Sequence, residues 1–171
     1  MSGHIGTHLD CPSHMTASSL HTDSMELECF LGSGLVIDCR QHLINNEISA
    51  AVLEDTLLKN TPDYLLFYTG YDSHWGSESY FINYPILSRE LATKLSAMQL
   101  KGIGVDVISV DPPSHGDYHN HKIVLGSGKI IVENLTNLEQ LFDTKFEFYA
   151  LPLKIEQGDG SPIRAVAVVR G

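Results

Sequence analysis

Asp63-Tyr64-Leu65-Leu66-Phe67-Tyr68, closed by Thr69-Gly70, reads as an apolar strand that ends on a turn signal. Downstream, Ser88 can cap a helix whose apolar face is Leu91, Leu95 and Met98, ending near Gly102. Ile103-Gly104-Val105-Asp106-Val107-Ile108 follows as another strand. Strands alternating with helices bury both faces of a sheet, so this order sets the fold class. On the N-terminal side, Gly34-Leu35-Val36-Ile37-Asp38 reads as a short buried strand. Ile48, Ala51, Val52 and Leu58 fall at helical spacing over about Ile48 to Lys59. On the C-terminal side, Lys129 to Glu133 reads as a strand and Leu138 to Phe142 as a short helix. Lys145 to Leu151, with Phe146, Phe148 and Ala150 alternating, and Arg164 to Val169 complete the strands. The expectation is an α/β domain around a central mixed β-sheet.

Composition narrows the function classes. The 171 residues are 43% hydrophobic and 19% charged, enough for one core and without a disorder signature. Lys and Arg total 11 against 21 Asp and Glu, a net charge of −10 that disfavours nucleic acid and anionic membranes as partners. No run of apolar residues approaches the length that spans a bilayer. Met1-Ser2-Gly3-His4 lacks the basic head and apolar stretch of a signal peptide. Cys11, Cys29 and Cys39 are an odd, sparse set, which points to a reducing, cytoplasmic location.

Histidine is the residue out of proportion. Of 9 histidines, four (His4, His8, His14, His21) precede residue 22, and His115, His119 and His121 form a second group. His4-Ile5-Gly6-Thr7-His8-Leu9-Asp10-Cys11-Pro12-Ser13-His14 carries a metal-capable side chain at positions 4, 8, 10 and 14. In a straight strand His4 and His8 would stand roughly 13 Å apart, so Gly6 must fold the segment for them to share an ion. His8 and Asp10, two apart in an extended stretch, already face one side. Two imidazoles and a carboxylate leave a coordination position open, the count of a catalytic zinc site. An isolated His-x3-His would read as polar loop; with Asp10, His14, Gly6 and Pro12 added, metal binding is the stronger reading.

Glu133 is twelve residues beyond His121, across Gly126-Ser127-Gly128. A hairpin centred on Ser127 would make the two cross-strand partners, roughly 5 Å apart at Cβ. A short helix from His121 followed by a strand ending at Glu133 is the competing local structure. His119 could stand in for His121 on the same side of an extended segment. His21, His42, His74 and His115 read as exposed or hydrogen-bonded, and Cys11 as a small packing residue. Trp75 reads as packing or pocket lining, Asp38 and Asp106 as strand-end caps, and Arg164 as pairing with an acidic group at the C-terminal turn.

The string His4-x-Gly6-Thr7-His8-x-Asp10-x-Pro12-x-His14 resembles the signature of the cyclase family of metal-dependent hydrolases, which includes bacterial kynurenine formamidase. Thr69-Gly70 before Trp75, Gly104-x-Asp106-x-x-Ser109, His121-x-x-x-Leu125 and Glu133-Asn134-Leu135 continue the resemblance. Pro152-Leu153-Lys154 and Asp159-Gly160-Ser161-Pro162-x-Arg164 complete it, so it runs the length of the chain. It implies one swivelling β/β/α domain over residues 1–171, a homodimer or higher homo-oligomer, and two divalent metal ions per subunit. It also implies that His4, His8 and Asp10 bind one ion and that Asp10, His121 and Glu133 bind the other, with His14 as general acid/base. Relatives normally carry a further segment before the signature whose aromatic residues shape the substrate pocket, and often arginine where Tyr68 stands. The substrate is therefore not carried over.

The activity expected is hydrolysis of an amide by a metal-activated water, with an N-formyl aromatic amine as the small-molecule substrate. Zinc suits the mixed nitrogen and oxygen ligands, and manganese suits two carboxylates. A cyclase, lactam hydrolase or dehydratase acting on a cyclic carbonyl is the neighbouring enzyme reading. A non-catalytic metal-binding protein is the reading outside enzymes.

Overall fold

The strand read from Tyr64 to Tyr68 (β5) lies mid-sheet in the computed structural model, which describes residues 2–55, 61–113 and 116–169. It runs parallel to β2 (Leu31–Asp38) on one side and β7 (Gly102–Val105) on the other, and β8 (Ile130–Glu133) runs parallel to β7. Antiparallel pairs extend both ends. β1 (His8–Asp10) and β10 (Gly160–Pro162) lie beyond β8, while β9 (Phe146–Tyr149) and β11 (Val166–Val169) lie beyond β2. The result is an eight-stranded mixed sheet.

Alternation along each strand sorts the core into two layers. Leu65 and Phe67 face the side where Leu91, Ala92 and Leu95 of α2 (Arg89–Ala97) and Val124 and Leu125 of α3 (His119–Gly126) pack. Tyr64 and Leu66 face the other side, against Phe30, Val132, Phe146 and Phe148. These four side chains are fully buried, as a parallel strand covered on both faces requires.

A second sheet of β3 (Leu43–Ile44), β4 (Glu47–Ile48) and β6 (Ile86–Leu87) braces the helix starts. Asn45 and Asn46, with φ of 52° and 63°, form its two-residue hairpin loop. Ile48 O accepts from Ser88 N at 3.1 Å, and Ser88 Oγ caps α2 by accepting from Leu91 N at 3.2 Å.

Several boundaries move. Ile48 lies in β4, only Val52–Asp55 (α1) is helical, and Leu58 and Lys59 lie outside the described residues. The strand from Ile103 stops at Val105. The hairpin about Ser127 does not form: α3 runs to Gly126 and β8 follows it, because the helix buries Val124 and Leu125 under the sheet. No helix among the described residues is long and apolar enough to cross a membrane.

Candidate metal centre

β1 lies antiparallel to β8, with His8 opposite Glu133 and Asp10 opposite Ile131. Leu9 therefore joins Val132 in one core layer, while His8, Asp10 and Glu133 emerge on the α3 side with Ile131. The first turn of α3 brings His121 above them. His121 Nε2 is 3.2 Å from Glu133 Oε1 and 3.5 Å from Asp10 Oδ2, and His8 Nε2 is 3.4 Å from both Asp10 Oδ1 and Glu133 Oε2.

His4 arrives through the bend the sequence requires. Gly6 adopts φ +60°, a left-handed conformation that suits glycine, and the His4 and His8 rings come to 5.3 Å between centroids. His4 Nδ1 then lies 2.6 Å from Asp10 Oδ1. Gly160 makes room for it, since a Cβ there would sit 2.4 Å from His4 Cε1. The 3₁₀ turn Pro12–His14 folds His14 back so that its ring stacks on His4 at 3.9 Å, with Nδ1 2.8 Å from Asp159 Oδ2. All six residues singled out from the sequence thus meet at one place.

The tautomers of two imidazoles are settled by their outer partners. Gly6 O can only accept, so His8 Nδ1 at 2.8 Å donates to it, and Asn134 Nδ2 donates to the same carbonyl at 2.9 Å. Asp111 Oδ2 accepts from His121 Nδ1 at 2.7 Å and from His121 N at 3.0 Å, while Asp111 Oδ1 accepts from Asn120 N at 2.9 Å. One carboxylate therefore caps α3 and orients its histidine, which compensates for a Tyr118 N-cap without a capping side-chain bond. Both Nε2 atoms are left aimed at the Asp10 and Glu133 carboxylates.

That arrangement fits a cation. His8, Asp10, His121 and Glu133 are at most 4% exposed, and Asp10 Oδ2 is buried without a hydrogen-bond partner. Burial opposes protonation of His121, yet Asp10, Asp111 and Glu133 raise its pKa to about 12. Burial likewise opposes protonation of His4, and Asp10 and Asp159 raise it to about 9. Burial would push the Asp10 carboxyl up, but His121, His4 and His8 hold it well below the usual range. Glu133 shifts upward, through burial and then the Asp10 charge. The pocket demands positive charge. One donor atom from each of His4, His8 and Asp10 lies within 4.8 Å of the others, and so do those of Asp10, His121 and Glu133. A third such group is His4, His14 and Asp159.

His119 does not replace His121, because the segment is helical and two residues' separation turns it away, toward Asp117 at 3.9 Å. Cys11 is buried and unpaired, its thiol pushed up to about 12 by burial and neighbouring carboxylates, as a packing residue should be. Asp38 pairs with Arg40 at 2.6 Å. Asp106 holds the turn after β5, accepting from Thr69 N, Thr69 Oγ1 and Gly70 N at 2.7–2.8 Å. Arg164 departs from expectation: it is exposed, with no acidic partner among the described residues. His74 lies 3.2 Å from Ser79 Oγ, His21 N donates to Ser24 Oγ at 2.9 Å, and His115 lies outside the described residues. Trp75 is 61% exposed and lines a cavity of about 300 Å³ with Thr7, Tyr80, Asn134 and Leu135. Asp111 and Asp159 are the groups sequence reasoning missed as functional. Asp111 carries no spacing signal, and Asp159 belongs to the string Asp159-Gly160-Ser161-Pro162-x-Arg164, which by itself assigns it no role.

The chain is similar to known proteins along nearly its whole length. The Cyclase family model matches residues 1–112. The chain is 32% identical over 166 residues to the kynurenine formamidase of Bacillus cytotoxicus, covering 97% of this chain and 76% of that protein. It is 34% identical over 169 residues to the kynurenine formamidase of Erythrobacter litoralis, with 97% and 73% covered. Isatin hydrolase A from Labrenzia aggregata, solved bound to benzyl benzoate, superposes with a TM-score of 0.86 at 28% identity, over 99% of this chain and 74% of that one.

Proposed function

We propose, from the premise that this chain belongs to the Cyclase family, that it is a metal-dependent amide hydrolase acting on an N-formyl aromatic amine. Its likeness to kynurenine formamidases over nearly the whole chain supports the amidohydrolase class and the arylformamide substrate. The observation that carries the reading is the position of Asp10. One oxygen faces His4 and His8, and the other, without a hydrogen-bond partner, faces His121.

His4, His8 and Asp10 would hold one divalent ion, and Asp10, His121 and Glu133 a second, with Asp10 common to both; zinc and manganese both suit these donors. Such ions supply a Lewis acid for the substrate carbonyl and lower the pKa of water towards neutrality. His14, beside this cluster, would take a proton from the attacking water and return one to the departing amine. Water thereby adds across the C–N bond, giving formate and the free amine.

The chain is further read as a single domain over residues 1–171, since β1 and β11 belong to one sheet. A homodimer or larger homo-oligomer is the assembly expected, and the free thiols of Cys11, Cys29 and Cys39 support a cytoplasmic location. Hydrolytic opening of a cyclic lactam is the second substrate reading, favoured by the likeness to isatin hydrolase.

Elemental analysis of zinc- and manganese-loaded protein, followed by assay on N-formylkynurenine, formanilide and a cyclic lactam, tests this. Two ions per chain and turnover of the formyl amides are expected. Turnover of the lactam alone selects the second reading. Bound metal with no turnover of any of the three would overturn the enzyme reading in favour of a non-catalytic metal-binding protein.

A further inference from the structure

The hydrolytic scheme leaves one carboxylate at the centre without a task. Asp159 Oδ2 lies 2.8 Å from His14 Nδ1, and its other oxygen lies 3.2 Å from His4 Nε2, so one side chain spans two stacked rings. The backbone fixes this pairing. Cys11 N donates to Asp159 O at 2.8 Å, and Cys11 O accepts from His14 N at 2.9 Å, so both partners hang from one residue of the chain. Buried Thr22 clamps the loop before Asp159, donating from N to Gly158 O and from Oγ1 to Ile155 O, each at 2.9 Å.

We propose that Asp159 is the positioning residue for His14. By accepting from Nδ1 it holds the imidazole in one tautomer and one orientation, with Nε2 free to exchange protons with the reacting atoms. The inference rests on the reading of His14 as general acid/base. The proton balance is unchanged: Asp159 stays an acceptor throughout, and the proton moves only between water, His14 Nε2 and the leaving nitrogen. An asparagine in its place could donate to Nδ1 instead, which would move the proton to Nε2 and leave the wrong tautomer for the first transfer.

The test compares zinc-loaded wild-type protein with Asp159→Asn and Asp159→Glu. Nitrogen-15 NMR of labelled histidines should show His14 protonated at Nδ1 in the wild type and at Nε2 in Asp159→Asn, at unchanged zinc content. On formanilide, kcat should fall about 100-fold in Asp159→Asn with KM within about twofold, in the range of a lost acid/base contribution. On an aryl formate with a nitrophenolate leaving group, which shares the first transfer from water to His14, kcat should fall by a similar factor. Asp159→Glu, which keeps the acceptor, should recover part of the loss. An unchanged His14 tautomer, loss of zinc, or an undiminished kcat on the aryl formate would overturn the proposal. Failure of the wild type on every formyl substrate would overturn the substrate reading alone, because the tautomer is read without substrate.

Discussion

The eight-stranded sheet ends in an antiparallel pair on each side, and the two pairs are built from opposite chemistry. At the β9–β11 end, Phe146 and Phe148 are buried among apolar neighbours and need nothing from outside the chain. At the β10–β1 end, the same burial is applied to His8, Asp10 and the facing Glu133. Apolar burial stabilises by roughly 25 cal/mol per Å², whereas taking carboxylates out of water is unfavourable unless a counter-charge replaces the lost hydration. Burial at one end of the sheet is therefore stabilising by itself, and at the other it needs a counter-charge. A divalent metal held by these residues would supply that counter-charge at the second end.

The contrast can be broken most sharply at Asp10. Asp10→Ala should abolish metal binding at both candidate positions, seen by elemental analysis, with activity down by more than about 10⁴-fold, as metal-assisted hydrolysis would lose when its metal is lost. Retention of two ions per chain would refute the bridging role. His14→Ala should keep the metal content and lose about 10²–10⁴-fold in kcat. Normal turnover in that metal-replete protein would show that the proton is handled elsewhere.

At the opposite end, Phe148→Ala should cost about 3–5 kcal/mol of stability by denaturant unfolding while leaving metal affinity unchanged. A linked loss of metal would mean the two ends are not independent. Asp111→Asn should weaken metal affinity by about 10–100-fold, since its one remaining acceptor oxygen cannot serve both His121 Nδ1 and Asn120 N. The smallest effect concerns pH. In metal-free protein the His4 pKa is raised from 6.5 to about 9, so the stability it contributes is fully present below pH 6.5 and is lost as pH rises through about 9. With His4 a quarter exposed, solvent screening limits this to on the order of 1 kcal/mol. Metal-loaded protein should show the opposite trend, because a cation displaces those protons; parallel pH profiles with and without metal would contradict the shared site.

Much of this was legible in residue order. The alternation of Tyr64 and Leu66 with Leu65 and Phe67 marks a strand buried on both faces, and Ser88 before Leu91 marks a capped helix. Gly6 between His4 and His8 signals the bend that the φ of +60° bears out. Less legible was the Asn45–Asn46 hairpin, whose strands are only two residues each and offer no run for periodicity to act on. Arg164 showed the limit of charge reasoning, since an arginine after a Gly-Ser-Pro turn carries no information about where the nearest carboxylate lies.

The sequence by itself determined which groups exist and which share a side within one segment: His8 with Asp10 by strand alternation, and the apolar faces by their periods. It left open whether His121 meets Glu133 through a hairpin or a helix, because both satisfy the local pattern. Tertiary structure decided that, through burial of Val124 and Leu125 beneath the sheet. It also decided the pairing of β1 with β8, and the approach of Asp111 to His121 and of Asp159 to His14. Contacts between distant segments depend on how whole elements pack, and no local spacing encodes the distance between them.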